Sequence, residues 1–218
     1  MTDQNPMPPR TTADSTAGGD YTARLQRLEA ARWKRALNVQ APYRWNIERL
    51  RLGRTLDIGC GIGRNLANLN VQSVGVDHNA DSVAAARARG FEAFTVEDFL
   101  ASDHARAGSF ESMLVAHVVE HMSADQAVRM IDSYLPYLVA GGRVCVVTPQ
   151  EAGYRSDATH VEFVDQAGLA ALAARLDLAI DRSYSFPFPR IAGKVFKYNE
   201  FVMVASRHQA GEGRSPGR

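Results

Sequence analysis

The chain has 218 residues, of which 45% are hydrophobic and 22% are charged, and its formal net charge is +1. These values are typical of one globular domain and exclude a chain dominated by charge of a single sign. A chain of this length also buries enough surface to be stable without disulfide bonds. Cys60 and Cys145 lack a metal-binding spacing, so the sequence predicts two reduced thiols in a cytoplasmic protein and no metal site.

The two ends differ in composition from the rest of the chain. Residues 1–20 are rich in Thr, Pro, Gly, Asp and Asn and lack the apolar core of a signal peptide, so they are predicted to be a disordered tail. Residues 208–218 are predicted to be a second tail. No apolar run approaches the roughly 20 residues that span a bilayer, so no membrane association is predicted.

Residues 21–53 are predicted to form an N-terminal helical cap with helices over 21–40 and 42–50. Pro42 opens the second helix and Gly53 ends it. The cap and its border are basic, and their cationic residues are Arg24, Arg27, Arg32, Lys34, Arg35, Arg44, Arg49, Arg51 and Arg54. Such charge is typical of a surface that attracts an anionic acceptor or nucleic acid, and equally of solvated helix faces.

From residue 54 to residue 207, runs predicted to be strands and helices alternate. The strands are predicted at 54–59, 72–77, 92–97, 112–119 and 143–148, and the helices at 64–69, 80–89, 124–139 and 165–176. Two last strands, 178–186 and 198–206, must form an antiparallel hairpin, because a parallel crossover needs about a dozen or more residues. The pattern predicts an α/β fold with a Rossmann-like, doubly wound, mostly parallel sheet of seven strands.

Three glycines follow the first predicted strand at alternating positions. Gly59, Gly61 and Gly63 allow the backbone to approach a ligand closely and to adopt positive φ. Asp57 precedes them, and Asp77 ends the next strand about 20 residues later. A strand, a glycine turn and a following acid form the general device for holding a nucleoside, in which the acid accepts hydrogen bonds from the ribose hydroxyls.

The glycine turn differs from the Gly-x-Gly-x-x-Gly pattern of dinucleotide sites. Asp57 beside it would repel a pyrophosphate but attract an ammonium or sulfonium group. Residues 56–66 resemble motif I of class I S-adenosylmethionine (SAM)-dependent methyltransferases. The resemblance covers roughly residues 56–206 and implies that 54–207 is a SAM-binding domain, in which the turn holds the amino-acid part of SAM and Asp77 holds the ribose. The alternative is a tight turn with a structural acid.

Further cofactor contacts follow from the same resemblance. His78 is expected to lie against the adenine. Asp98 and Phe99 match the acidic-then-apolar step that contacts the adenine amino group and ring, although Asp98 has the alternative of capping a helix. His117, inside the fourth predicted strand, is expected to pack against the cofactor.

The helical cap contains a mixed aromatic and cationic segment just before the first strand. In the family, helices added there often cover the cofactor. Arg44 is then expected to meet the SAM carboxylate, and Tyr43 or Trp45 to face the sulfonium by cation–π attraction. The alternative for these residues is a packing corner.

Two histidines are predicted to be catalytic. His121 follows Glu120 at the end of the fourth strand, which resembles the small-molecule branch of the family, and an imidazole can accept the proton of an attacking hydroxyl. His160 lies in the polar loop after the fifth strand, in a segment that resembles SAM enzymes acting on sugars. Either histidine has the alternative of a hydrogen-bonded loop residue.

The resemblance therefore predicts a SAM-dependent methyltransferase that acts on a small molecule or glycosylated metabolite, at a hydroxyl. The acceptor is expected to be anionic or sugar-containing, and no nucleic-acid module is recognised. The alternatives are an RNA methyltransferase that uses the basic cap and an N-methyltransferase of a small amine. A non-catalytic SAM-binding protein and a nicotinamide-dependent oxidoreductase are the alternatives from other classes.

Overall fold

The computed structural model of the protein describes residues 41–207. The tails predicted at 1–20 and 208–218 and the helix predicted over 21–40 lie outside the described residues. Within residues 41–207, no helix combines the length and the apolar character needed to cross a membrane.

One sheet of seven strands organises the described residues, in the order β3-β2-β1-β4-β5-β7-β6. The strands are β1 (Thr55–Ile58), β2 (Val74–Val76), β3 (Ala93–Phe94), β4 (Phe110–Ala116), β5 (Leu138–Pro149), β6 (Leu178–Phe186) and β7 (Glu200–Arg207). Strands β1 to β5 pair in parallel, whereas β7 runs antiparallel to both β5 and β6. The predicted mostly parallel sheet with a C-terminal antiparallel hairpin is confirmed.

Six α-helices flank this sheet in the described part of the chain. They are α1 (Ala41–Leu50), α2 (Ala80–Ala88), α3 (Val96–Leu100), α4 (Ala124–Tyr134), α5 (Glu151–Tyr154) and α6 (Gln166–Arg175). Short 3-10 helices are found at Leu66–Asn68, Val119–His121, Leu135–Tyr137 and Arg190–Lys194. The prediction of a helix over 42–50 is confirmed by α1.

Side chains before the longer helices fix where they begin. Asn79 accepts the amide hydrogen of Ser82 at the start of α2. Ser123 forms a reciprocal capping box with Gln126 at the start of α4. Because such caps satisfy backbone donors that the first helical turn leaves unpaired, they set these boundaries locally.

Both faces of the central strands are buried, and consecutive side chains enter different cores. One core contains Met113, Val115, Val144 and Val146, and the other contains Leu114, Ala116, Cys145 and Val147. This alternation follows from the period of two along a strand. Helix α1 covers the second core through Ile47 and Leu50.

The helix predicted over 64–69 is wrong, since only the 3-10 turn Leu66–Asn68 forms there. Asparagine side chains form hydrogen bonds in this segment that compete with the backbone hydrogen bonds of a regular helix. Asn68 Nδ2 donates to the Arg64 carbonyl over 3.1 Å, and Asn65 Nδ2 turns inward to Asp57 Oδ1 over 3.2 Å. Irregular backbone therefore joins β1 to β2.

The third strand is much shorter than the predicted 92–97. It ends at Phe94, because the Thr95 side chain accepts the amide hydrogen of Asp98 over 3.1 Å and starts α3. Asp98 and Phe99 consequently lie in a helix and not at the end of a strand. The fourth strand is also shorter than predicted and ends at Ala116, before His117.

Candidate functional site

The glycine turn connects the ends of β1 and β2 at the carboxyl edge of the parallel sheet, where ligands of such sheets bind. The amides of Gly59 and Cys60 donate to the Val76 carbonyl over 2.8 and 3.1 Å. The Gly61 amide donates to Asp77 Oδ2 over 2.8 Å. These bonds fix the turn against the end of β2.

All three glycines of the turn adopt positive φ, with values of 71° at Gly59, 53° at Gly61 and 79° at Gly63. A Cβ at Gly59 would lie 2.4 Å from the Val118 side chain, and one at Gly63 would lie 2.5 Å from Phe91. Packing and conformation alone therefore require glycine at 59 and 63. The contact of this turn with a cofactor stays a prediction.

Asp57 is a fully buried carboxylate beside the turn. Its Oδ1 accepts a hydrogen bond from Asn65 Nδ2, whereas its Oδ2 has no hydrogen-bond partner among the described residues. Burial, and to a lesser degree the charge of Asp77, raises the pKa of Asp57 to about 7 against the opposing bond from Asn65. A buried carboxylate oxygen that lacks a donor is suited to the ammonium group of an amino-acid ligand.

Asp77 is also buried, and backbone amides hold both of its oxygens. Oδ2 accepts from Gly61, and Oδ1 accepts from the Asn79 amide over 2.9 Å. A carboxylate offers about four lone-pair positions, so Asp77 can accept further hydrogen bonds, and its contact with ribose hydroxyls stays a prediction. The half-exposed His78 has its Nδ1 3.5 Å from Asp77 Oδ1, at the same edge of the sheet.

Asp98 and Phe99 differ in local structure from the prediction. The expected position of Asp98 and Phe99 at the end of strand three is wrong, because α3 begins at Val96. The Asp98 side chain is 55% exposed and forms an ion pair with Arg87 over 3.3 Å. Phe99 is fully buried in the core, where it packs edge-on against Tyr137. Arg44 is exposed on α1, and its contact with the cofactor stays a prediction.

His117 follows β4 and is not inside the strand as predicted, and its φ is 59°. Its Nε2 lies 2.8 Å from Glu200 Oε1, and its Nδ1 lies 3.3 Å from Glu120 Oε1. Burial opposes a charge on this ring, but the nearby carboxylates of Glu120 and Glu200 outweigh that effect and raise the pKa of His117 to about 10. The ring is therefore an imidazolium between two carboxylates at neutral pH.

Asn65 and Glu200 were missed by the sequence prediction, and Tyr43 has partners that were not expected. Tyr43 was expected to face the sulfonium; its hydroxyl donates to Asn65 Oδ1 over 2.9 Å, and its ring lies 6.2 Å from the His117 ring. Burial, with the charges of Glu200 and Asp57, raises the pKa of Tyr43. No local sequence signal identified Asn65 or Glu200 as a site residue. Asn65 lay in a predicted helix, and Glu200 lay at the start of the last strand.

The two predicted catalytic histidines are brought together, although 38 residues separate them in the chain. The ring centroids of His121 and His160 lie 4.8 Å apart. His121 Nδ1 lies 3.1 Å from the Thr159 carbonyl, and His160 Nδ1 lies 2.7 Å from the Tyr154 carbonyl. Burial lowers the pKa of His121, and the charge of Glu120 partly opposes this effect.

Glu120 lies beside the two histidines, and its side chain is fully buried. Neither of its carboxylate oxygens has a hydrogen-bond partner among residues 41–207, since the 3.3 Å contact with His117 lacks hydrogen-bond geometry. One ligand atom from each of Glu120, His121 and His160 lies within 4.8 Å of those of the other two. Sequence spacing did not predict this cluster.

A family model described as "Methyltransferase domain" matches residues 56–146. This segment runs from β1 through β5 and contains the glycine turn, Asp77 and His121. Comparison with curated protein sequences gave no match.

Solved structures similar to this fold include several SAM-dependent methyltransferases. One from Archaeoglobus fulgidus has 17% identity and a TM-score of 0.58, with 78% of this chain and 98% of that chain covered. The magnesium protoporphyrin IX methyltransferase of Synechocystis has 14% identity and a TM-score of 0.60, covering 88% and 97%. The N-methyltransferase NodS of Bradyrhizobium japonicum has 16% identity and a TM-score of 0.58, covering 77% and 95%.

At these identities the solved structures establish the fold, and their different acceptors leave the acceptor of this chain open. The site fits the cofactor of the matched domain through a buried carboxylate oxygen without a donor at Asp57, a glycine turn and an acid at the end of β2. Between the glycine turn and β2 only the 3-10 turn Leu66–Asn68 forms, so that segment has no α-helix whose N-terminus could receive a pyrophosphate. Residues 56–146 thus match a methyltransferase domain, and the fold of the described residues is that of SAM-dependent methyltransferases.

Proposed function

We propose that this methyltransferase transfers the methyl group of SAM to a hydroxyl of a small molecule or glycosylated metabolite. The observation that carries the proposal is the pair of imidazoles, His121 and His160, where β4 and β5 end. Each ring uses Nδ1 for a backbone carbonyl, so Nε2 of each is available to an acceptor. A neutral amine attacks without prior loss of a proton, whereas a hydroxyl needs a group that takes or stabilises its charge.

The cofactor supplies a methyl group that is already activated by the sulfonium. The protein therefore acts mainly by alignment, and positioning of this kind lowers a barrier by roughly 7–11 kcal/mol. In the proposed arrangement Asp57 binds the ammonium group, Asp77 binds the ribose hydroxyls, and His78 lies against the adenine. Arg44 on α1 is proposed for the carboxylate, as in the sequence prediction.

The described part of the basic cap favours a small acceptor over RNA. Arg54, at the amino end of β1, is on the edge of the sheet opposite the glycine turn. Its guanidinium contacts the carbonyls of Gln72 and Ser109 and Nδ1 of His104. Arg49 stacks on Trp45 at 4.6 Å. These two cations are engaged within the chain and support no groove for a phosphate backbone.

The experiment that tests the proposal is methyl transfer from labelled SAM to matched pairs of acceptors, each pair an alcohol or sugar and the amine of the same skeleton. We expect a labelled methyl ether, identified by mass spectrometry and NMR. Methyl transfer confined to the amines would refute the hydroxyl assignment, and transfer to RNA alone would refute the small-molecule assignment.

Replacement of the histidine pair gives a second test. Loss of a positioned group that handles the hydroxyl proton costs about 100- to 10,000-fold in rate. We therefore expect His121→Ala or His160→Ala to lose turnover by that order while SAM affinity stays near wild type. His104→Ala, at the opposite edge of the sheet, is the control and should retain turnover. Full activity in both site variants would contradict the role of the pair.

A further inference from the structure

We propose that Glu120, His121 and His160 form a binding site for a divalent first-row transition-metal ion. The three side chains converge so that their ligand atoms lie within 4.8 Å of one another. Two imidazoles and one carboxylate on one side of an ion are a known ligand set for such metals, and they leave coordination positions open.

The buried Glu120 carboxylate is the first independent observation. Its side chain is fully buried, and neither oxygen receives a hydrogen bond within residues 41–207. Burial of an ionised carboxylate is costly unless the charge is paired or coordinated. The adjacent His117 ring lies 3.3 Å from Glu120 without a hydrogen bond and is hydrogen-bonded to Glu200 over 2.8 Å, so two carboxylates share this one cation. A cation held jointly with the histidines would satisfy this carboxylate.

The hydrogen bonds of the two histidines are the second observation. A backbone carbonyl can only accept, so the carbonyls of Thr159 and Tyr154 require a hydrogen on Nδ1 of His121 and of His160. In the neutral rings this places the lone pair on Nε2 of both. Metal-binding histidines almost always donate their other ring N–H to a carbonyl, carboxylate or water in this way.

The backbone holds the ligands at a fixed spacing. Glu120 and His121 belong to the 3-10 turn that follows β4, and His160 belongs to the loop that follows β5. The two segments are joined by the Val161 amide, which donates to the Glu120 carbonyl over 2.7 Å. Thr159 in turn donates its hydroxyl to Asp157 over 2.8 Å. The site is thus formed before an ion binds, which lowers the cost of coordination.

The ligand types also select the metal. Imidazole nitrogen favours ions such as Zn²⁺ and Co²⁺, whereas Mg²⁺ prefers oxygen ligands and retains water. Three protein ligands with an open position are typical of catalytic sites, and closed structural sites use four.

The role of the ion rests on the proposed hydroxyl acceptor. The site adjoins the glycine turn, because Val118 packs on Gly59 two residues before Glu120. An acceptor hydroxyl bound to the ion becomes more acidic. Its proton leaves to water, and the oxygen then forms the bond to the methyl carbon as the carbon–sulfur bond breaks. The histidines would then act as ligands, and no imidazole would need to remove the proton.

The test uses full-length protein freed of metal with a chelator and dialysed. Co²⁺ is titrated and followed by its visible absorption, and Zn²⁺ and Mg²⁺ are titrated by calorimetry. Removal of a residue that only hydrogen-bonds to a metal ligand weakens metal binding roughly 10- to 100-fold. Removal of the ligand itself should therefore weaken metal binding by about 100-fold or more. We expect the wild type to bind one Co²⁺ or Zn²⁺ per chain and to bind Mg²⁺ only weakly. Glu120→Gln and His160→Gln should each lose Co²⁺ and Zn²⁺ affinity by this factor. His104→Gln is the matched control, and circular dichroism checks folding.

The proposed site would be overturned if the wild type showed no visible absorption on addition of Co²⁺ and no heat of binding on addition of Zn²⁺. Unchanged binding in folded His160→Gln and Glu120→Gln proteins would overturn it equally, because the ion would then lie elsewhere. Hydroxyl methylation at full rate in the metal-free protein would overturn the role of the ion in holding the acceptor. Metal binding that depends on both ligands, combined with methylation of amines only, would support the site and refute the proposed function separately.

Discussion

Replacement of Asp57 by Asn is expected to weaken SAM binding and at the same time to change how the stability of the protein depends on pH. The pKa of the buried Asp57 carboxyl is raised from 3.8 to about 7 in the folded protein. At about 1.36 kcal/mol per pKa unit, the ionised carboxylate costs the fold about 4 kcal/mol above pH 7. Asn removes this charge but keeps an oxygen that can accept from Asn65.

The sign follows from where the proton is held. Between pH 3.8 and about 7 the folded protein keeps a proton on Asp57 that the unfolded chain releases, so the wild type loses stability as the pH rises. From pH 5 to pH 8 the free energy of unfolding of the wild type should fall by about 3 kcal/mol relative to Asp57→Asn. The new amide group, with no acceptor where Oδ2 lies, adds a cost of about 1–3 kcal/mol that does not depend on pH.

The assay is urea unfolding of both proteins at several pH values without SAM, followed by calorimetry with SAM. Loss of a charge-assisted bond of about 1.5–3 kcal/mol should weaken SAM binding by roughly 10- to 100-fold at pH 8. The affinity of the wild type for SAM should also fall about tenfold from pH 8 to pH 6, because Asp57 takes up its proton. The variant should lack this decrease in affinity. Asp103→Asn, which alters an exposed carboxylate with no predicted role in the site, is the control. Parallel pH curves for Asp57→Asn and wild type would refute the reasoning.

Three further outcomes are expected. Asp77→Ala should lower SAM affinity by roughly 10- to 100-fold, because it removes the acceptor of ribose hydroxyls and the bond to the Gly61 amide; unchanged affinity by calorimetry would contradict this. Gly61→Val places a β-branched residue at a φ of 53°, so SAM binding should be lost in a protein that circular dichroism shows to be folded; tight binding would mean that the cofactor lies elsewhere. Mixed RNA should bind only weakly and with a steep salt dependence in a fluorescence titration, and submicromolar, selective binding would favour the RNA alternative.

The fold was predictable because its signals are local. The first strand of the last hairpin runs from Leu178 to Phe186 as predicted, and the proline-rich segment after it marks its end without reference to the rest of the chain. Ser123 likewise marked the start of α4 through the chemistry of its own side chain.

The errors arose where a side chain competed with the expected backbone pattern. Leu66 and Leu69 have helical spacing, but the glycines before them and the inward-turned Asn65 prevent a helix. The acidic step at 97–99 resembled the end of a strand, but the Thr95 side chain caps a helix there and turns Asp98 outward. Both effects depend on one hydrogen bond each, which periodicity does not detect.

The site was predictable only where its residues follow one another in sequence. The turn from Asp57 to Gly63 lies within seven residues, and its spacing indicated its role. Glu200 reaches the site because antiparallel pairing places it opposite Pro149, at the carboxyl end of β5. His160 reaches His121 because the loop after β5 is bonded to Glu120. Such contacts depend on strand register and loop path, which are set by the whole fold.

Four buried carboxylates lie at one edge of the sheet. Their excess negative charge links the stability of the folded protein to ligand binding. Asp57, Asp77, Glu120 and Glu200 are all less than 10% exposed, and His117 is a cation that forms ion pairs with two of them, Glu120 and Glu200. Buried acidic groups that lack a counter-charge destabilise the free protein, as the raised pKa of Asp57 indicates. Positive ligands reverse this cost, because binding to the folded state alone stabilises it. The ammonium group of SAM at Asp57 and a metal ion at Glu120 would relieve different carboxylates, so their stabilising effects should add.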